Sequence, residues 1–499
     1  MFVSVVAVLV LLNAVRSDPC NPREASFGTV CVCDSSYCDT VPEIENLSSA
    51  QYQIYTTSKG QLGFTSKVGP TGSRSSNASN KVSVPDLGKT YQSVLGFGGA
   101  FTDSTGYNIL SLPEQAQEKL LRSYWGDEGI SYSIGRVPIS GTDFSLRGYT
   151  YCDEKDETLD SWALQPEDFD YKIAFVKKAG ELRGRPLTLF ATSWSAPIWM
   201  KSNNNLIGGG HLKDEYYHLW GEYYLKFFRA YQQQDVTFWG MSTQNEPVYG
   251  LTNETINSMG FTQDEMNKWV SEYLGPMLRT SEFSDIKIML HEDNRGELVY
   301  LINSTLNNSD VVKYADGIAV HWYQDSSSPE SLLDEARSDE KDLFLLNTES
   351  CILRPSELGS WENGERYVNS IITDLYHNSL GFVDWNMVLD LDSGPSWAGS
   401  HFDSPVIVNA TAGEFYKQPM FYAIGHFSKF IVPGSLRLET DVSVEADVRS
   451  IAFLRPDGKV AVVLFNRGEE PVTLDLEISD KQVSVDVEAR SLNTVLYSV

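Results

Sequence analysis

Short apolar runs recur along the middle of the chain, each cut off by glycine, proline or polar residues. They fall at 93–101 (SVLGFGGAF), 131–138 (SYSIGRVP), 187–194 (LTLFATSW), 236–243 (VTFWGMST), 286–291 (IKIMLH), 317–323 (GIAVHWY), 343–349 (LFLLNTE) and 382–389 (FVDWNMVL). Runs of this length bounded by turn residues read as buried strands. Between several of them the period changes. In 214–234, Trp220, Tyr223, Tyr224, Phe227, Phe228 and Tyr231 recur at three- and four-residue steps, which makes one apolar stripe on a helix. Residues 166–184 and 361–377 also read as helices. Strand and helix alternation of this kind predicts an α/β fold, a (β/α)8 TIM barrel, although an open doubly wound sheet gives the same pattern.

The two ends of the chain are patterned differently. Residues 51–67 read as short strands around Lys59-Gly60, and 68–81 as a Gly/Ser/Asn-rich loop. Residues 450–466 read as two strands joined at Pro456-Asp457-Gly458. Val472, Leu474, Leu476 and Ile478 then alternate with polar residues, the period of a half-buried strand. Both ends are therefore expected to share an all-β sandwich into which the barrel is inserted.

Composition narrows the partners. The chain has 499 residues, 41% of them hydrophobic, and a formal net charge of −28, which argues against nucleic acid and against anionic lipid at neutral pH. Phe2 to Val15 is an apolar run too short to span a bilayer, and residues 1–17 read as a secretory signal with Ser17 before the cut. No other stretch has the length of a transmembrane helix, and the C-terminus has no hydrophobic tail for a lipid anchor. Cys20, Cys31, Cys33 and Cys38 crowd together and read as two local disulfides, with a zinc knuckle as the alternative; Cys152 and Cys351 are expected to be free. Sequons at Asn46, Asn77, Asn253, Asn303, Asn307 and Asn409 fit a glycosylated secretory protein.

In a barrel of this type the chemistry sits where strands end. VTFWGMSTQNEP (236–247) ends in Asn245-Glu246-Pro247, and LFLLNTESC (343–351) delivers Glu349. Strands four and seven face each other across the barrel mouth. Paired carboxylates there are what glycosidic cleavage needs: one protonates the leaving oxygen, the other attacks the anomeric carbon or activates water. Trp194, Trp322, Tyr323 and Trp385 stand at strand ends, where indole rings can stack on sugar faces. Arg136 and Asp143 (RVPISGTDFS) add a charged pair near the rim, where Arg136 can hold a catalytic carboxylate ionised or form a purely structural salt bridge. Competing motifs are weak. There is no H-E-x-x-H or G-x-S-x-G, and His291-Glu292-Asp293 lacks a third metal ligand at useful spacing. Gly96-Phe97-Gly98-Gly99 does not complete a dinucleotide fingerprint and reads as a tight turn, and Gly208-Gly209-Gly210 as a mobile loop. No cofactor or metal is expected.

Longer motifs resemble glycoside hydrolase family 30, in particular its acid β-glucosidases that cleave glucosylceramide. They are CVCDSSYCD (31–39), GFGGAFTD (96–103), RVPISGTDFS (136–145), SWSAPIWMK (193–201), NEP (245–247), GIAVHWY (317–323), DWN (384–386) and FYKQPMFYAIGHFSKFI (415–431). The resemblance implies Glu246 as acid/base and Glu349 as nucleophile. It implies that Asp143, Trp194, Asn245 and Trp385 bind glucose, and that Phe144, Trp322 and Tyr323 line the mouth. It implies disulfides Cys20–Cys31 and Cys33–Cys38. It also implies retention of configuration, with carboxylates about 5–5.5 Å apart, and a lysosomal or secreted enzyme acting at lipid surfaces with a saposin-type activator and anionic lipid. The expected division is 18–45 as a disulfide-stapled segment beside strands around 388–420, 46–92 with 432–499 as the sandwich, and 93–431 as the barrel. The chain departs from the family on the aglycone side. The mouth loop 248–261 reads VYGLTNETINSMGF where the family is aromatic, and Ser400 stands where it has Asn.

Overall fold

The computed structural model describes residues 17–72, 80–252, 255–444, 447–478 and 481–498. The secretory-signal reading, apart from Ser17, and the sequons at Asn77 and Asn253 lie outside the described residues. Eight parallel strands close into a barrel. In chain order they are Gly96–Ala100, Ile134–Ile139, Thr188–Ser193, Gly240–Ser242, Lys287–Asn294, Gly317–His321, Phe344–Glu349 and Ser379–Asn386. Each of the eight apolar runs supplies one of them, so the closed barrel holds and the open sheet does not.

The first strand corrects one expectation. Gly96-Phe97-Gly98-Gly99 lies within a barrel strand rather than in a turn. The glycines are there for close approach: a Cβ on Gly98 would lie 1.9 Å from the Ile134 carbonyl oxygen, so only hydrogen fits between the first two strands. The aromatic stripe forms the helix Tyr217–Gln232, with Trp220, Tyr223, Tyr224, Phe227 and Tyr231 buried. The helical pattern at 166–184 is observed as a wide turn, Asp168–Ile173, running into the helix Ala174–Arg183. The pattern at 361–377 is the helix Trp361–Tyr376, capped by Ser360.

Both chain ends meet in the sandwich. One sheet takes Gln51–Ser58 and Thr65–Pro70 from the N-terminal side, with Val448–Leu454, Lys459–Asn466 and Ser491–Ser498 from the other. The second sheet pairs Lys81–Val84 with Val472–Ile478, whose Leu474, Leu476 and Ile478 are buried as the alternation requires. A third sheet joins Pro22–Glu24 and Thr29–Cys33 to Glu414–Lys417, Val406–Asn409 and Val388–Asp390. Disulfides link Cys20 to Cys31 and Cys33 to Cys38, and Cys152 and Cys351 are free and buried. No described helix is long and apolar enough to cross a membrane.

Asp39 ties the N-terminal segment to the barrel. Its carboxylate faces Lys417 Nζ at 3.1 Å and accepts the Tyr422 hydroxyl at 2.8 Å, with both charged side chains buried. Removing one partner strands the other charge, at a cost of about 3–5 kcal/mol. Asp39→Ala is therefore expected to lower the calorimetric midpoint clearly, and Asp39→Ala/Lys417→Met to recover part of the loss. A single variant as stable as the wild type would contradict this.

Candidate active site

Glu246 and Glu349 stand just past strand four and at the end of strand seven. A carboxylate oxygen of each, with a ring nitrogen of His321, lies within 4.8 Å of the others. The turn after strand four is strained: Glu246 has φ 41°, a region L-residues enter at a cost. It is held by the Glu246 N–H donating to Glu292 O at 2.9 Å and by the Gly250 N–H donating to Glu246 O at 2.9 Å.

Arg136, on strand two and fully buried, organises the floor. Its guanidinium donates to Glu349, to Glu292 and, at 2.7 Å, to Asn245 Oδ1. It also lies 4.7 Å from the Trp194 ring and 5.2 Å from that of Trp385, which stack on each other at 4.8 Å. Of the two readings of Arg136, a hold on a catalytic carboxylate is therefore observed, and a pair with Asp143 is not. Arg136 serves the two glutamates, while Asp143 accepts a hydrogen bond from the Ser400 side chain. Ser400 thus stands against the polar floor of the cleft rather than only on its outer side. Tyr323 donates its hydroxyl to Glu349 Oε1 at 2.6 Å, and His321 Nδ1 meets Glu246 Oε1 at 3.0 Å.

Burial makes these charges interdependent. It opposes the charged form of His321, but Glu349, Glu246 and Glu292 outweigh it and push the imidazole up to about 10. His321 is therefore a cation that donates to Glu246. Burial likewise works against ionised Glu292, yet Arg136 and His321 bring it down to about 2. Asp143 goes the other way: burial, then the charge of Glu349, raise it to about 7. The folded state thus holds the Asp143 proton more tightly than the unfolded chain does. That contribution is whole below about pH 4 and drains away as pH rises to 7. The thermal midpoint of the wild type is expected to fall between pH 5 and 7.5 by more than that of Asp143→Asn; equal slopes would refute the linkage.

These groups open into a cleft of about 660 Å³. Of the residues expected from the sequence, Asp143, Trp194, Asn245, Glu246, Tyr323, Glu349 and Trp385 line it. Phe144 and Trp322 do not. Phe144 is buried behind Trp385 and against Phe402, with ring centroids 6.4 and 5.2 Å away. Trp322 points out of the barrel toward Tyr367, with Arg366 over its ring at 4.3 Å and its Nε1 donating to Cys351 O. Glu292 and His321 were not singled out for a role in this chemistry. The available signal was weak: each closes an apolar strand, as Glu246 and Glu349 do.

The changed loop 248–261 contributes Tyr249, Thr255 and Ile256 to the cleft, beside half-exposed Leu353. Gly208–Gly210, read as a mobile loop, is bonded to it: the Gly260 N–H donates to Gly210 O at 3.0 Å. Among the remaining sequons, Asn46, Asn303 and Asn307 are exposed. Asn409 is half-buried, and its amide donates to the Tyr416 hydroxyl at 2.9 Å.

Comparison with known proteins agrees with this architecture. Residues 94–431 match the glycosyl hydrolase family 30 TIM-barrel domain, and residues 434–495 match the family 30 beta sandwich domain. A mouse protein named lysosomal acid glucosylceramidase is 37% identical, covering 94% of this chain and 93% of its own length. A Caenorhabditis elegans protein named as a candidate glucosylceramidase 4 is 38% identical over 97% and 96%. The crystal structure of SrfJ from Salmonella typhimurium superposes with a TM-score of 0.83 at 25% identity, covering 90% of this chain and all of that one. With a family model spanning the barrel and relatives matching nearly end to end, the chain belongs to glycoside hydrolase family 30 and is a glycoside hydrolase.

Proposed function

We propose that the protein is a retaining β-glucosidase that cleaves glucosylceramide to glucose and ceramide. One observation carries the reading: Glu246 and Glu349 face each other with carboxylate oxygens within 4.8 Å. That closeness favours direct attack over a water placed between them. Glu349 attacks the anomeric carbon. Glu246 gives its proton to the glycosidic oxygen as the bond to ceramide breaks. Water, deprotonated by Glu246, then releases glucose from the ester on Glu349. The Arg136 and Tyr323 contacts orient Glu349, and His321 orients Glu246. Trp194 and Trp385 offer aromatic surface, and Asp143 and Asn245 hydrogen bonds, to the sugar.

The mouse relative's name supports glucosylceramide as the substrate and the lysosome as the address. The apolar outer cleft at Ile256, Leu353 and Phe402 suits a lipid aglycone. Anionic lipid and a saposin-type activator are expected to raise turnover. The test is a panel of glucosylceramide in anionic vesicles, a fluorogenic β-glucoside, a β-xyloside and a β-glucan, each at acid pH. Glucose release from glucosylceramide supports the reading. Turnover confined to the xyloside or glucan reassigns the substrate, and binding without turnover points to a silent sugar-binding protein.

A further inference from the structure

Asp293 is a buried carboxyl beside the reacting groups to which the chemistry above gives no task. It is 1% exposed and sits on strand five, past the point between His291 and Asp293 where pairing with strand six slips by a residue. His291 and Glu292 make the bulge with φ of 77° and 56°. The bulge sends the Glu292 side chain to Arg136 and Asp293 to the turn that bears Glu246. Asp293 Oδ2 accepts the Val248 N–H at 2.9 Å, and its Oδ1 accepts the backbone and side-chain N–H groups of Asn294 at 2.7 and 3.3 Å. The Glu246 turn is thereby anchored to strand five at two points, Glu292 O and the Asp293 carboxyl.

The charged neighbours come from three elements. Glu246 faces Asp293 from the turn, His321 from strand six, and His291 and Glu292 flank it on strand five. The Glu292 charge is engaged by Arg136, and His291 Nε2 by Asn294 O. Burial, then the charge of Glu246, push Asp293 up to about 7, against the Asn294 and Val248 N–H groups and His321.

We propose that Asp293 is a positioning residue for Glu246, holding the turn that bears it through the Val248 N–H. This rests on the reading of Glu246 as the proton donor. Asp293 exchanges no proton with substrate. The proton leaves Glu246 for the glycosidic oxygen as that oxygen parts from the anomeric carbon.

The test compares the wild type with Asp293→Ala, Asp293→Asn and Glu246→Gln on two substrates. A 4-methylumbelliferyl β-glucoside needs the proton to depart, whereas a 2,4-dinitrophenyl β-glucoside does not. Asp293→Ala removes the acceptor for Val248, and Asp293→Asn keeps one. On the first substrate Asp293→Ala is expected to lose roughly 10-fold in kcat with KM little changed, and Asp293→Asn less than about 3-fold. On the second substrate Asp293→Ala should lose less than about 3-fold. If the alanine variant does not fold, Asp293→Leu, which also lacks an acceptor, is held to the same pattern. Equal losses by the two variants on the first substrate, or an equal loss on both substrates, overturns the proposal while leaving Glu246 as the acid. Undiminished turnover of the first substrate by Glu246→Gln overturns the underlying reading, and this inference with it.

Discussion

Glu349→Gln releases glucose from a β-glucoside at least about 10⁴-fold more slowly than the wild type, the scale of loss when a nucleophile is removed from an interdependent set. The amide keeps the volume, can still accept the Tyr323 hydroxyl, and leaves Arg136 its bond to Glu292, so the barrel stays folded. It cannot attack the anomeric carbon. A smaller change separates the two glutamates by stereochemistry. In Glu349→Ala, azide can enter from the face the carboxylate vacated and gives the α-glucosyl azide. In Glu246→Ala, azide meets the glucosyl ester from the opposite face and gives the β-product. The same anomer from both variants would contradict the assignment.

Arg136→Met has the largest expected effect on stability. It leaves Glu292, completely buried, and Glu349, nearly so, without their shared cation. Stranding buried carboxylates costs about 3–5 kcal/mol, whereas replacing a whole buried ion pair by neutral groups can cost little. Arg136→Met is therefore expected to unfold at a much lower temperature and to lose activity. Arg136→Met/Glu292→Gln should regain more than half the lost midpoint without regaining activity, because Glu349 and Asn245 still lack their orienting donor. Equal midpoints for the single and double variants would show that the charges are not coupled.

The barrel was legible because each strand is an apolar run with its own stops. Where the reading of the site fell short, the reason is the two-residue period of extended chain. Trp322 and Tyr323 are neighbours at the end of strand six, so only one can face the cleft. Tyr323 does, with His321 two residues back on the same side, and Trp322 is turned toward Tyr367. Asp143 and Phe144 also divide, one lining the cleft and the other behind Trp385, but there a turn beyond strand two parts them. Alternation gives the period of a strand but not its phase once the apolar run has ended. Glu292 was hidden by a different device: the positive φ angles at His291 and Glu292 re-aim the strand end, and no residue type there announces a bulge. The Arg136–Glu349 contact joins residues 213 positions apart, a pairing that only the closed barrel brings about.

The account is tested most directly by trapping the covalent intermediate. The protein is incubated with a 2-deoxy-2-fluoro-β-glucosyl fluoride, which forms the glucosyl ester readily and releases it slowly, and is then digested and mapped by mass spectrometry. The account predicts one fluoroglucosyl group, on the peptide containing Glu349, with activity lost in step with labelling. Full turnover with no label, or a label on any other residue, would contradict it.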